Sequence, residues 1–104
     1  MASKEKEGEK DSNVVYVGNK PPMNYVTAIM ALLNSGNFDE VTLKARGNAI
    51  SKAVDAAEIT RNRFVTNAEI KSIEIGTESL DQEDGRSSNV SSIEICLVVK
   101  KESK

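Results

Sequence analysis

Towards its C-terminal end the chain carries two long runs of strand-forming residues on either side of Asp84-Gly85. Asp-Gly tolerates the positive φ angles that a tight hairpin turn demands, so the two runs are predicted to pair as one long hairpin. In the second run, residues 89–101, Ile93, Ile95, Leu97 and Val99 fall on one face, with Cys96 and Val98 on the other. In the first, residues 68–80, apolar parity switches between Ile70 and the pair Ile73 and Ile75, which predicts a bulge or register change. The tip is polar, so the hairpin should project beyond the body. Whatever else the chain forms must pack on this sheet.

Upstream, Val14-Val15-Tyr16-Val17 is a near-continuous apolar run closed by Gly18, the pattern of a strand buried on both faces. Gly18-Asn19-Lys20-Pro21-Pro22 is a loop, and the Pro pair suits the first turn of a following helix. From Met23 to Asn34, Val26, Ile29, Met30 and Leu33 recur at helical spacing, widened by Ala28 and Leu32, and Gly36 stops the helix. Phe38 to Ala45 alternates as a half-buried strand, with Val41, Leu43 and Ala45 inward. After the turn Arg46-Gly47-Asn48 a second helix runs to about Phe64, with Ile50, Ala53, Val54 and Ala57 on its apolar face. The order is β-α-β-α-β-β. The fold class is α+β: two helices on one face of a four-stranded mixed sheet with a long C-terminal hairpin.

The 104 residues suffice for one core, since a chain of this length buries roughly two-thirds of its unfolded surface. Residues 1–12 are polar and charged and are expected to be a disordered tail, leaving residues 13–101 as the folded domain. There is no His, which excludes His-based acid–base and triad chemistry and most zinc sites. The single Cys96 cannot form an internal disulfide. The longest apolar runs fall far short of a membrane span, and the N-terminal residues lack the apolar core of a signal peptide. A soluble, cytoplasmic protein with no membrane partner is expected. Nucleotide-binding glycine motifs, a phosphate-binding loop and a nucleophile elbow are all missing, so no enzyme and no cofactor is expected. The acidic group Glu78, Asp81, Glu83 and Asp84 matches no calcium loop, so a solvated turn is expected there rather than a metal.

The net charge of −2 is unevenly spread: residues 13–72 carry +2 and residues 73–104 carry −3. A basic face would therefore lie in the middle of the chain. Two loops qualify, and each joins a strand to a helix start, where backbone N–H groups and the positive end of the helix dipole favour phosphate. The first holds Asn19 and Lys20, and the second holds Lys44, Arg46, Gly47 and Asn48. Arg61-Asn62-Arg63-Phe64 ends the second helix, where the cations suit the helix dipole and Phe64 reads as a packing residue. With so few aromatics, no strand shows a set of rings for stacking bases.

Four blocks closely resemble the archaeal Alba chromatin proteins. They are Gly18-Asn19-Lys20-Pro21-Pro22-Met23-Asn24-Tyr25, the segment from Lys44 to Asp55, Glu58-Ile59-Thr60-Arg61-Asn62-Arg63-Phe64, and Asp84-Gly85-Arg86 followed by Val90 to Ile95. The resemblance covers about residues 13–101. It implies a fold like the C-terminal domain of translation initiation factor three, and a homodimer that binds double-stranded DNA with little sequence preference. RNA is the second expected ligand, and a protein-interaction module that has lost most nucleic-acid binding is a third reading. Carried over by position, Lys20 and Arg46 become phosphate contacts and Lys44 a supporting charge. Asn19, Asn24, Tyr25, Gly47, Asn48 and Arg86 join them in the nucleic-acid surface. Arg61, Asn62 and Phe64 lie where family dimers pack side by side on DNA, and the cellular address implied is cytoplasmic and chromosome-associated. Three departures stand out: Asn19 replaces the first residue of a frequent lysine pair, Asn48 replaces a frequent second cation, and the hairpin arm is acidic. Weaker, less cooperative and less salt-robust binding than in a typical member is expected: affinity starts lower with fewer phosphate contacts, each of which is worth about 0.9 in the salt slope.

Overall fold

The hairpin supplies the frame on which the other elements are ordered. In a computed structural model that describes residues 13–81, 85 and 87–99, β3 (Ala68–Asp81) pairs antiparallel with β4 (Ser87–Val99), and β4 pairs antiparallel with β2 (Glu40–Arg46). The short β1 (Val14–Tyr16) lies parallel to β2 at the far edge, giving the sheet order β1-β2-β4-β3. Helices α1 (Pro22–Asn34) and α2 (Ile50–Ile59) cover one face. The expected tail at residues 1–12, the turn residue Asp84, Arg86 and the polar end at 100–104 lie outside the described residues.

The core sits between that helix face and the sheet. Val41, Leu43, Ile95 and Leu97 from β2 and β4 meet Val26 and Ile29 of α1 and Ala53, Ala56 and Ala57 of α2, all essentially solvent-free. Each fully buried large aliphatic chain contributes roughly 1.5–3 kcal/mol. Small residues along α2 let that helix approach the sheet closely. The expected irregularity in β3 is present: the ladder shifts between Ile70 and Ser72. The shift leaves Lys71 as the extra residue. It returns Ile73 and Ile75 to the helix side of the sheet, opposite Ile95 and Ile93.

Three expectations are corrected. β1 is buried on one face only, with Val15 and Val17 inside and Tyr16 55% exposed, because the helices cover a single face. The inward stripe of α2 is Ala49, Ala53, Ala56, Ala57 and Thr60 rather than one containing Val54, which is exposed. The second helix is also not uniform: a 3₁₀ turn at Gly47–Ala49 opens it and a π turn at Thr60–Phe64 closes it. Thr60 tolerates full burial because its hydroxyl donates back to the Ala56 carbonyl at 2.8 Å.

β2 ends at Arg46, opposite Ser92 of β4. Beyond that point only β3 and β4 continue, through the pairs from Thr77↔Ser91 to Asp81↔Ser87. At about 3.3 Å per residue these add an arm roughly 17 Å long. The 58 Å length of the molecule against widths of 24 and 22 Å reflects it.

Candidate nucleic-acid interface

Parallel pairing of β1 and β2 brings together two loops that are distant in sequence. With Tyr16 beside Lys44, both strands end at the same edge of the sheet, and the Val17 N–H donates to the Lys44 carbonyl at 2.8 Å. The loop after β1 (Asn19, Lys20) and the turn after β2 (Gly47, Asn48) therefore emerge side by side. The arm leaves the body from this same edge, since Arg46 stands opposite Ser92.

Tyr25 organises the first loop. Its ring is buried and its hydroxyl accepts two backbone donors, the Gly18 N–H at 2.9 Å and the Lys20 N–H at 3.0 Å. The structure thus gives Tyr25 the part of holding the loop, while Asn19, Lys20 and Asn24 are exposed on its surface. Backbone donors are scarcer here than a bare helix start would offer. Pro21 and Pro22 have no N–H, the Asn24 N–H is bonded to the Pro21 carbonyl, and those of Gly18 and Lys20 are bonded to Tyr25. Charge at this loop comes from the Lys20 side chain.

The second loop turns at Gly47, whose φ is +59°. A Cβ there would also stand 3.2 Å from Val90 Cγ2 on the arm, so glycine is required both for conformation and for the close approach. Asn48 is exposed in the 3₁₀ turn.

The sheet face away from the helices carries a row of cross-strand ion pairs. Lys44 Nζ lies 3.5 Å from Glu94, Arg46 Nη1 lies 2.8 Å from Glu78 of the arm, and Lys71 Nζ lies 2.8 Å from Glu40. Tyr16, Lys44, Arg46, Glu78, Ser92 and Glu94 line a shallow cleft of about 360 Å³ on this face. The hydrogen bond and charge of Lys71 hold the Glu40 carboxyl below its ordinary value, and Glu40 raises Lys71 in return. Cys96 lies between them, its Sγ 3.7 Å from Glu40, and burial pushes its thiol up, away from the reactive thiolate. Both carboxylate partners of Lys44 and Arg46 were missed in the sequence, because only the strand register brings them within reach.

At the other end of α2, Arg61 is tied to Glu58 at 3.2 Å, Asn62 is exposed, and Phe64 is 48% exposed. Its own chain covers about half of the Phe64 surface and leaves the rest open. The candidate contact Arg86 lies outside the described residues. Among the described residues no group of three or more His, Cys, Asp or Glu could hold a metal ion, and no helix is long and apolar enough to cross a membrane.

The family model described as Alba matches residues 13–77. The chain belongs to the Alba family. It is 58% identical over 87 residues to the DNA/RNA-binding protein Alba of Methanocella arvoryzae, covering 84% of this chain and 90% of that protein. It is 56% identical over 88 residues to DNA/RNA-binding protein Alba 1 of Archaeoglobus fulgidus, covering 85% and 97%. Among solved structures, Alba from Thermoplasma volcanium superposes with a TM-score of 0.75 at 52% identity, covering 82% of this chain and 98% of that one. ALBA1 from Trypanosoma brucei superposes with a TM-score of 0.68 at 26% identity, covering 86% and 70%. The two-helix, four-stranded α+β architecture read from the sequence is the architecture of this Alba family.

Proposed function

We propose that this chain is a homodimeric, largely sequence-independent double-stranded DNA-binding protein of archaeal chromatin, cytoplasmic and chromosome-associated, with no catalytic role. The observation that carries the reading is the convergence of the Lys20 loop, the Arg46–Asn48 turn and the arm at one edge of the sheet. Its support in relatives is that similar proteins are named DNA/RNA-binding. Lys20 and Arg46 make the phosphate contacts, with Lys44, Asn19, Asn24, Gly47, Asn48 and Arg86 contributing to the surface and Tyr25 fixing the loop. Arg61, Asn62 and Phe64 meet a neighbouring dimer on DNA.

Dimerisation rests on apolar surface that one subunit leaves bare. Ile73 is 53% exposed and Ile75 81%, on the helix side of the edge strand β3, and Ile75 lines a shallow hollow with Ile50 of α2. Leu97, further along β4, is fully buried inside the subunit and has no part in that surface. A second copy would cover the strip of Ile73 and Ile75 and remove a sheet edge from water. Sedimentation at micromolar concentration should give a dimer, and a monomer would overturn this part.

Anisotropy titration of matched duplexes across a salt series tests the binding. Lys20→Ala should weaken every sequence about equally and reduce the salt slope by about 0.9 per subunit, because phosphate contacts carry no base information. Unchanged affinity would remove this loop from the interface. RNA is the second reading, favoured by the names of the relatives, and direct competition between B-form and A-form duplexes separates the two.

A further inference from the structure

Glu78 pairs with Arg46, the residue read above as a phosphate contact. It lies in the arm, two strands away from Arg46, yet its Oε1 meets Arg46 Nη1 at 2.8 Å across β4. Arg46 closes β2 and leads directly into the Gly47 turn. Resting on the reading that Arg46 contacts phosphate, we propose that Glu78 is an affinity-determining residue. Its carboxylate occupies the Arg46 guanidinium in the free protein and must be displaced by a nucleic-acid phosphate for Arg46 to bind.

Several observations support an exchange rather than a fixed brace. Both side chains are about half exposed, 56% for Arg46 and 48% for Glu78, so solvent and salt weaken the pair and little protein must move to open it. A phosphate offers the guanidinium the same forked acceptor geometry that a carboxylate does. The neighbouring pair repeats the arrangement more loosely, with Lys44 3.5 Å from Glu94. Lys44, Arg46, Glu78 and Glu94 together sum to zero formal charge, and Glu74, directly opposite Glu94, adds a further negative charge to this face.

The exchange has a thermodynamic signature. When phosphate displaces Glu78, the freed carboxylate gathers a cation from solution. That uptake offsets part of the counterion release from the nucleic acid. Removing the carboxylate abolishes the uptake. Full-length Glu78→Gln should therefore bind a 20-base-pair duplex about three- to tenfold more tightly at ~0.1 M salt, with a salt slope steeper by roughly one to two per dimer. Asp81→Asn removes the same charge from the same arm further out and should produce less than half that change. In an Arg46→Ala background, Glu78→Gln should have no effect beyond that of Asp81→Asn in the same background. Equal gains from Glu78→Gln and Asp81→Asn would reduce the effect to the arm's overall acidity and overturn the proposal. So would an unchanged or weakened Glu78→Gln, checked for folding by thermal unfolding. If Arg46→Ala itself leaves binding unchanged while Lys20→Ala weakens it, the phosphate role of Arg46 fails, and the exchange fails with it. Loss from both Lys20→Ala and Arg46→Ala without coupling to Glu78 overturns the exchange alone.

Discussion

Along β4, Ile93, Ile95 and Leu97 are buried beneath the helices, while Ser87 to Asn89 stand in solvent on the arm. The backbone pairing with β3 is continuous through both halves. What changes is the third partner: β2 and the helices accompany the inner half and stop at Arg46. Hydrogen-bonded strands alone confer shape, and burial confers stability. A two-stranded ribbon without a covered face is marginal in water, so the arm persists because it grows out of a packed sheet. It gains freedom to present polar groups in exchange.

The strongest way to break this comparison is to cut one side chain from each half. Leu97→Ala should cost about 2–5 kcal/mol in denaturant unfolding, as large-to-small changes at solvent-free sites do, whereas Ser91→Ala should change stability by less than about 0.5 kcal/mol. Similar costs at both sites would show that the arm is as tightly held as the body. Gly47→Ala probes the seam between them. It forces a side chain into the left-handed region and against Val90, and should cost about 2 kcal/mol in unfolding free energy while loosening the arm.

Tyr25→Phe sharpens the view of the first loop. The ring remains but the acceptor for the Gly18 and Lys20 N–H groups is lost, so stability should fall by about 1 kcal/mol. Backbone amide exchange should rise at Gly18 and Lys20 and stay unchanged in β4. The smallest effect concerns the exposed Lys71–Glu40 pair. Glu40 is held below 4.5, so its contribution is present above that pH and is lost as pH falls through its folded value. Lys71 is held above 10.5, so its contribution is complete below that pH and is lost as pH rises through its folded value. The unfolding difference between the native chain and Glu40→Gln should be fullest between the ordinary values of the two groups and fade beyond them, as pH crosses the folded value of Glu40 on the acid side and of Lys71 on the alkaline side.

Much of this was legible without coordinates. Period-two alternation in residues 38–45 and 89–101 and period-3.6 spacing around Val26 and Ile29 are local signals of which face is buried. The parity switch after Ile70 announced the bulge for the same reason. Lys20 and Arg46 stood out as candidates because their loops join strands to helices and match blocks of one family. The errors share a cause as well. Val54 and Ala56 flank opposite sides of the Ala53–Ala57 stripe at similar angles, so only the way α2 is rotated against the sheet decides which one is covered. Tyr16 looked like core because an apolar run does not say whether one sheet face or two are covered.

Residue order along the chain determined the elements, their sequence and the alternation that gives each a buried side, since these depend on neighbours a few positions away. Tertiary structure alone decided which distant residues meet. Parallel pairing of β1 with β2 set the two loops side by side, and the β2–β4–β3 register put Glu78 on Arg46 and Glu94 on Lys44. Those encounters depend on a register spanning more than thirty residues, and only closure of the whole sheet over its core specifies it.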